Sequence, residues 1–166
     1  MARTISTVVV GYDAGEEAER ALARGADVVA AFDARLIVVA AAEVPEAVAT
    51  EPFPELAGVY PIPAGQTAVS VPVPAEPSAR KGPTAEELLH RILEKARQKL
   101  AGRGLEVEYV SVVGDAATAL VDSAEAHGAD LIVVGSRDHG LVERLLGGGV
   151  DSKVARAAPC DVLLVR

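Results

Sequence analysis

Short apolar runs alternate with longer stretches of mixed polarity along the 166-residue chain. Each run is rich in aliphatic or β-branched residues and is bounded by charged residues or glycine. The runs cover residues 5–11, 36–41, 105–112, 131–135 and 162–165. Runs that are apolar on both faces are typical of strands in a buried parallel sheet.

Helical periodicity occupies the intervals between these runs. Its clearest example spans residues 84–100, where Thr84 and Glu87 form the T-x-x-E pattern of a capping box. Further helices are predicted over residues 16–31, 116–127 and 149–157, with a shorter turn at 141–146. This β-α-β alternation predicts an α/β fold, a doubly wound five-stranded parallel sheet with helices on both faces.

Residues 43–83 interrupt the alternation. This segment contains all but one of the 10 prolines and shows no helical periodicity. Connections this long inside a compact domain are usually functional or disordered. The sequence leaves open a lid over a pocket, a dimerisation arm and a mobile linker. We therefore predict one domain over residues 1–166 that carries a proline-rich insertion at 43–83.

Composition and charge exclude several partners. The chain has 16 basic and 24 acidic residues, hence a net charge of −8, and such a protein is poorly suited to a phosphate backbone. We expect no nucleic-acid partner. The lone cysteine, Cys160, cannot form an intrachain disulfide, and the first apolar run is too short for a signal or membrane segment. The sequence thus predicts a cytoplasmic protein without a membrane partner.

The segment Gly11-Tyr12-Asp13 follows the first predicted strand. Open α/β sheets bind ligands at the carboxyl ends of their strands, near the reversal of strand order. An aspartate there can accept hydrogen bonds from an adenine amino group or a ribose. The competing interpretation, favoured on this segment alone, makes Asp13 the N-cap of the first helix. Neither the dinucleotide fingerprint nor the P-loop motif is present on this strand.

A glycine-rich segment follows the fourth predicted strand. Gly135 ends that strand, and Gly147, Gly148 and Gly149 precede the last predicted helix. Glycines let backbone N–H groups approach a phosphate, and a following helix N-terminus adds a positive dipole. The alternative is a tight turn with a flexible helix start. We favour a binding loop, because three consecutive glycines are costly as structure alone.

Several segments, in this order, make the chain resemble the universal stress protein family. They are Val8-Val-Val-Gly-Tyr-Asp-Ala-Gly15, Val113-Gly-Asp115, Asp130-Leu-Ile-Val-Val-Gly-Ser-Arg137, Leu145-Leu-Gly-Gly-Gly-Val150 and Val154-Ala-Arg-Ala-Ala-Pro-Cys-Asp-Val-Leu-Leu-Val165. The resemblance covers both ends of the chain and leaves out the middle. It implies a fold of the adenine nucleotide alpha-hydrolase type and a stress-response protein that binds or senses an adenine nucleotide.

The resemblance also points to a particular phosphate loop. Members that bind ATP carry G-x-x-G, nine residues, then G-[S/T], and the matching positions here are Gly135, Asp138, Gly148 and Gly149. Asp138 would repel a triphosphate or hold a bridging cation, and Gly149 lacks the hydroxyl that binds phosphate. Arg137 could meet a phosphate instead. ATP, AMP, another adenine ligand and no nucleotide all stay open, with Mg²⁺ expected only beside a triphosphate.

The nucleotide site implied by the resemblance has Asp13 facing the adenine or ribose and the backbone of Ala41 facing the adenine. Its residues are Gly11, Tyr12, Asp13, Ala41, Gly114, Gly135, Arg137, Asp138, Gly148, Gly149 and Val150. The resemblance further implies a homodimer that pairs its last strands through Val162, Leu163, Leu164 and Val165. An exposed apolar edge strand favours such pairing independently.

Two other functions compete with nucleotide sensing. One is a family member that binds no nucleotide and acts through contacts with an unknown protein partner. The other is a slow ATPase, disfavoured because no general base or carboxylate set for a metal accompanies the loop. Ser136 has no visible His–acid partners, and the three histidines lack ligand spacing. We expect a binding protein rather than an enzyme, without a resident metal.

Overall fold

The described residues form one parallel sheet with helices on both faces. The computed structural model describes residues 4–43, 83–136 and 149–166, which belong to one compact unit. Its elements are β1 (Thr7–Gly11), α1 (Glu16–Phe32), β2 (Arg35–Ala42), α2 (Ala85–Leu100), β3 (Val107–Val113), α3 (Ala116–His127), β4 (Leu131–Gly135), α4 (Val150–Ala157) and β5 (Asp161–Val165). The strands run parallel in the order β3-β2-β1-β4-β5. The predicted doubly wound α/β fold is confirmed.

The core has two layers, one on each face of the sheet. Alternation along β1 sends Val8 and Val10 to one layer and Val9 to the other. The first layer contains Leu22 of α1 and Leu89 of α2, and Tyr12 is the one aromatic residue among its buried described residues. The second layer lies under α3 and α4. The central strands are buried on both sides, which explains their uninterrupted apolar runs.

The helix ends test the sequence signals directly. The capping box of α2 is present: the Glu87 backbone N–H donates to Thr84 Oγ1 at 3.2 Å, and the Thr84 N–H donates to Glu87 Oε2 at 3.1 Å. The interpretation of Asp13 as the N-cap of α1 is wrong. The N-cap is Gly15, and Asp13 Oδ1 accepts from the Gly15 N–H at 2.7 Å. Asp13 therefore closes a turn across Ala14, whose φ is 63°.

Two sequence predictions concern parts of the chain outside the described residues. These are the insertion at 43–83, apart from its two end residues, and the helical turn at 141–146. Both stay predictions. Among the described helices, none combines the length and apolar character needed to cross a membrane.

Candidate functional site

A cavity opens at the carboxyl edge of the sheet, where β1 and β4 lie side by side. From β1 the chain continues towards β2 and β3, whereas from β4 it continues towards β5 on the opposite side. This reversal is the position at which open α/β sheets bind ligands. The cavity volume is about 300 Å³, at the lower limit of the roughly 300–1,000 Å³ of small-molecule sites.

Six elements or their adjoining residues contribute to the lining. The described residues around the cavity are Gly11, Tyr12, Asp13, Glu17, Ala18, Val39, Ala41, Ala116, Leu120, Val134, Gly135, Gly149, Val150 and Asp151. Most of the wall is apolar, and three carboxyl groups join it. Such a site can bind a ligand that combines a flat apolar part with a few polar groups.

The backbone of β2 supplies one polar edge of the cavity. The Tyr12 N–H donates to the Val39 carbonyl at 2.9 Å, so Val39 directs its backbone groups towards β1. The next residue but one, Ala41, directs its groups the same way, because backbone direction alternates along a strand. Ala42 shows the opposite direction, since its carbonyl accepts from the Gly114 N–H at 3.0 Å. Ala41 lies beyond the last β1 residue in the register, so its backbone faces the cavity.

Tyr12, the residue after β1, is anchored in the core by its side chain. Its side chain is 3% exposed and packs in the core layer under α1 and α2. Among the described residues, its buried hydroxyl has no hydrogen-bond partner. Burial raises the pKa of this hydroxyl, and the Glu19 and Asp13 carboxylates raise it further. Tyr12 is therefore neutral at physiological pH and acts by packing.

Gly135 lets β4 end directly against the first turn of α1. A Cβ at this position would lie 2.6 Å from the Glu17 carbonyl carbon and 2.7 Å from its oxygen. Backbone atoms cannot move aside as the tip of a side chain can, so only glycine fits. The close approach brings Glu17 of α1 to the cavity together with the end of β4.

Polar contacts attach α4 to its neighbours. Ser136 Oγ donates to Asp151 Oδ2 at 2.8 Å, and the Ser152 N–H donates to Asp151 Oδ1 at 2.9 Å. On the other side, Lys153 Nζ lies 3.6 Å from Asp115 Oδ2. Hydrogen bonds from the backbone and side chain of Thr118, assisted by Lys153, lower the pKa of the Asp115 carboxyl. These links position the start of α4 beside the end of β4.

The structure brings most of the predicted site residues together. Seven of them line the cavity: Gly11, Tyr12, Asp13, Ala41, Gly135, Gly149 and Val150. Gly114 follows the outer strand β3 and is not part of the lining, because β2 lies between β3 and β1. Arg137, Asp138 and Gly148 lie outside the described residues. The nucleotide-binding role of all these residues stays a prediction.

The sequence reasoning missed two carboxyl groups of the lining, Glu17 and Asp151. Both lie in the first turn of a helix that follows a strand at the reversal point. A first turn at that position lies at the ligand-binding edge of the sheet, but the position itself is known only from the strand order. Glu17 has the appearance of an ordinary surface residue, and the hydrogen bond from Ser136 to Asp151 depends on tertiary structure.

Comparisons with known proteins agree with this architecture. The profile of the universal stress protein family matches residues 59–166. A universal stress protein of Thermus aquaticus is 33% identical over 165 residues, covering 96% of this chain and 98% of the relative. One from Mycobacterium tuberculosis is 31% identical over 160 residues, covering 96% of this chain and 94% of the relative.

A solved structure extends the agreement to the whole fold. The crystal structure of a universal stress protein in complex with cAMP superimposes with a TM-score of 0.68 at 27% identity. The match covers 99% of this chain and 99% of that protein. On the sequence matches and this shared fold, the chain belongs to the universal stress protein family.

Proposed function

We propose that the protein binds an adenine nucleotide in the cavity between the ends of β1 and β4 and works as a nucleotide-sensing stress-response protein. The observation that carries the proposal is the location of the cavity at the reversal of strand order, with seven predicted site residues in its lining. A relative with this fold was solved with cAMP, which supports an adenine ligand here.

The lining suits the parts of an adenine nucleotide. Val39 and Leu120 offer apolar surface for a base, and the Ala41 backbone offers a donor and an acceptor at its edge. Asp13, oriented by its hydrogen bond to Gly15, can accept from ribose hydroxyls. Gly149 is the N-cap of α4 and lines the cavity, so the N-terminus of this helix could face a phosphate. The proposal assigns binding and no catalysis to this cavity, with Mg²⁺ only as the companion of a triphosphate.

Calorimetric titration with cAMP, AMP and ATP tests this proposal. Ala41→Leu places a larger side chain at the cavity, whereas Ala42→Leu makes the same change on the other face of β2. We expect binding by the wild type and by Ala42→Leu, and at least about tenfold weaker binding by Ala41→Leu, because added bulk is poorly accommodated in a packed site. Melting temperatures of both variants check their folding. No binding of any adenine nucleotide to the wild type would contradict the proposal.

We also propose a homodimer that pairs β5 with β5 of a second copy. β5 is an edge strand of the described sheet, and Leu164 on it is 44% exposed. An exposed apolar edge presents unpaired backbone groups to another chain. Light scattering after size-exclusion chromatography should give the mass of a dimer, and Leu164→Lys should shift it towards the monomer. A wild-type monomer at high concentration would contradict this assembly.

A further inference from the structure

Asp151 occupies the part of the cavity where a phosphate would meet α4. It is the second residue of that helix, and its carboxyl group belongs to the cavity lining. Both carboxyl oxygens are engaged, Oδ2 by the Ser136 hydroxyl at 2.8 Å and Oδ1 by the Ser152 N–H at 2.9 Å. Two donors beside the start of α4 therefore already bind an anion that belongs to the protein.

The nearby ammonium group of Lys153 does not pair with the Asp151 carboxylate. Lys153, two residues along α4, makes its ion pair with Asp115 instead. Among the described lining residues there is no lysine or arginine. A phosphate at the start of α4 would thus meet a fixed carboxylate and would compete with it for the same two donors. Repulsion between like charges increases with the charge of the ligand and is stronger in a partly buried site than in water.

We propose that Asp151 is a specificity-determining residue, which makes the cavity discriminate against adenine ligands in proportion to their phosphate charge. This inference rests on the proposed function. It implies that the cavity favours a ligand of low charge, such as a nucleoside or a cyclic or simple monophosphate, over a triphosphate. A group that repels the wrong ligand is a common source of specificity.

Titrations of adenosine, AMP and ATP into the full-length protein, without divalent cations, test this inference. Asp151→Asn removes the charge and keeps an oxygen that can accept from Ser136. Asp122→Asn is the matched control, because Asp122 is exposed on α3 and does not line the cavity. We expect Asp151→Asn to bind ATP about tenfold more tightly, AMP by a smaller factor and adenosine unchanged. The gain should shrink in high salt, and Asp122→Asn should behave as the wild type.

The outcomes separate this inference from the function on which it rests. If Asp151→Asn keeps the wild-type ratio of ATP to adenosine affinity, the role of Asp151 is overturned while nucleotide binding stands. If neither protein binds any of the three ligands or cAMP, the proposed function fails and this inference fails with it. Melting temperatures confirm that the variants fold, and Asp151→Ser carries the same expectation should Asp151→Asn prove unstable.

Discussion

The β1 side of the cavity is held by apolar packing, whereas on the β4 side α4 is held mainly by polar contacts and β4 ends in a close backbone approach. On the β1 side, Tyr12 is 3% exposed, and Leu120 of α3, also 3% exposed, packs beside Gly11. On the β4 side, α4 buries only Val154 among its described residues and is attached through Asp151 and Lys153. The first side fixes the shape of the cavity, and the second places the Asp151 carboxyl group in its lining.

The largest expected effect is on the apolar side. Leu120→Ala should lower the free energy of unfolding by about 2–5 kcal/mol, because it removes a buried side chain and leaves a cavity. Leu88→Ala is the matched control: Leu88 is also a helical leucine but is 44% exposed, and its loss should change stability by less than about 0.5 kcal/mol. Urea denaturation measures both. Equal losses would show that Leu120 does not support the β1 side.

The glycines that end β1 and β4 also distinguish the two sides of the cavity. At Gly135 an added Cβ meets the Glu17 backbone at 2.6 Å, but at Gly11 it meets Leu120 Cδ1 at 3.0 Å, the tip of a flexible side chain. Gly135→Ala should therefore cost about 1–3 kcal/mol, and Gly11→Ala no more than about 1 kcal/mol. Thermal unfolding of the two variants tests this order. The reverse order would mean that the end of β4 is more adaptable than the structure indicates.

The smallest effect concerns Asp115, which contacts Thr118 of α3 and Lys153 of α4. The folded state lowers the pKa of Asp115, chiefly through the Thr118 backbone hydrogen bond. Asp115 thus contributes stability above the ordinary aspartate pKa of about 3.9, and this contribution is lost as the pH falls through the lower folded-state pKa. The effect is small, because Asp115 and Lys153 are both more than a third exposed.

Stability measured from pH 6 down to pH 2 should show this dependence. The wild type should lose more stability over this interval than Asp115→Asn, which lacks the titrating group. Asp122→Asn, an exposed carboxylate on the same helix, should keep the wild-type slope. Identical slopes for all three proteins would show that the contacts of the Asp115 carboxylate with Thr118 and Lys153 add no stability to the folded state.

The sequence was sufficient for most of the fold, because its apolar runs and helical stripes are strong local signals. The bounds of β4 and α3 agree with the prediction to the residue, and the capping box of α2 is present. Asp13 was misassigned as the N-cap because aspartate is favoured both in turns and at N-caps. Only the backbone conformation distinguishes the two, and here the N-cap is Gly15. Glu17 and Asp151 were missed for a different reason: their place in the lining depends on which strands become neighbours.

Binding of an adenine nucleotide in the cavity between β1 and β4 can be mapped by NMR, from the backbone amide chemical shifts that change during a cAMP titration. The amides whose shifts change should cluster at the carboxyl edge of the sheet, at Gly11, Ala41 and Gly149. Amides at the opposite edge, such as Arg35 and Asp130, which donate to Ser6 and Thr7, should stay unchanged. Changes confined to that opposite edge, or none at saturating cAMP, AMP and ATP, would rule out this binding site.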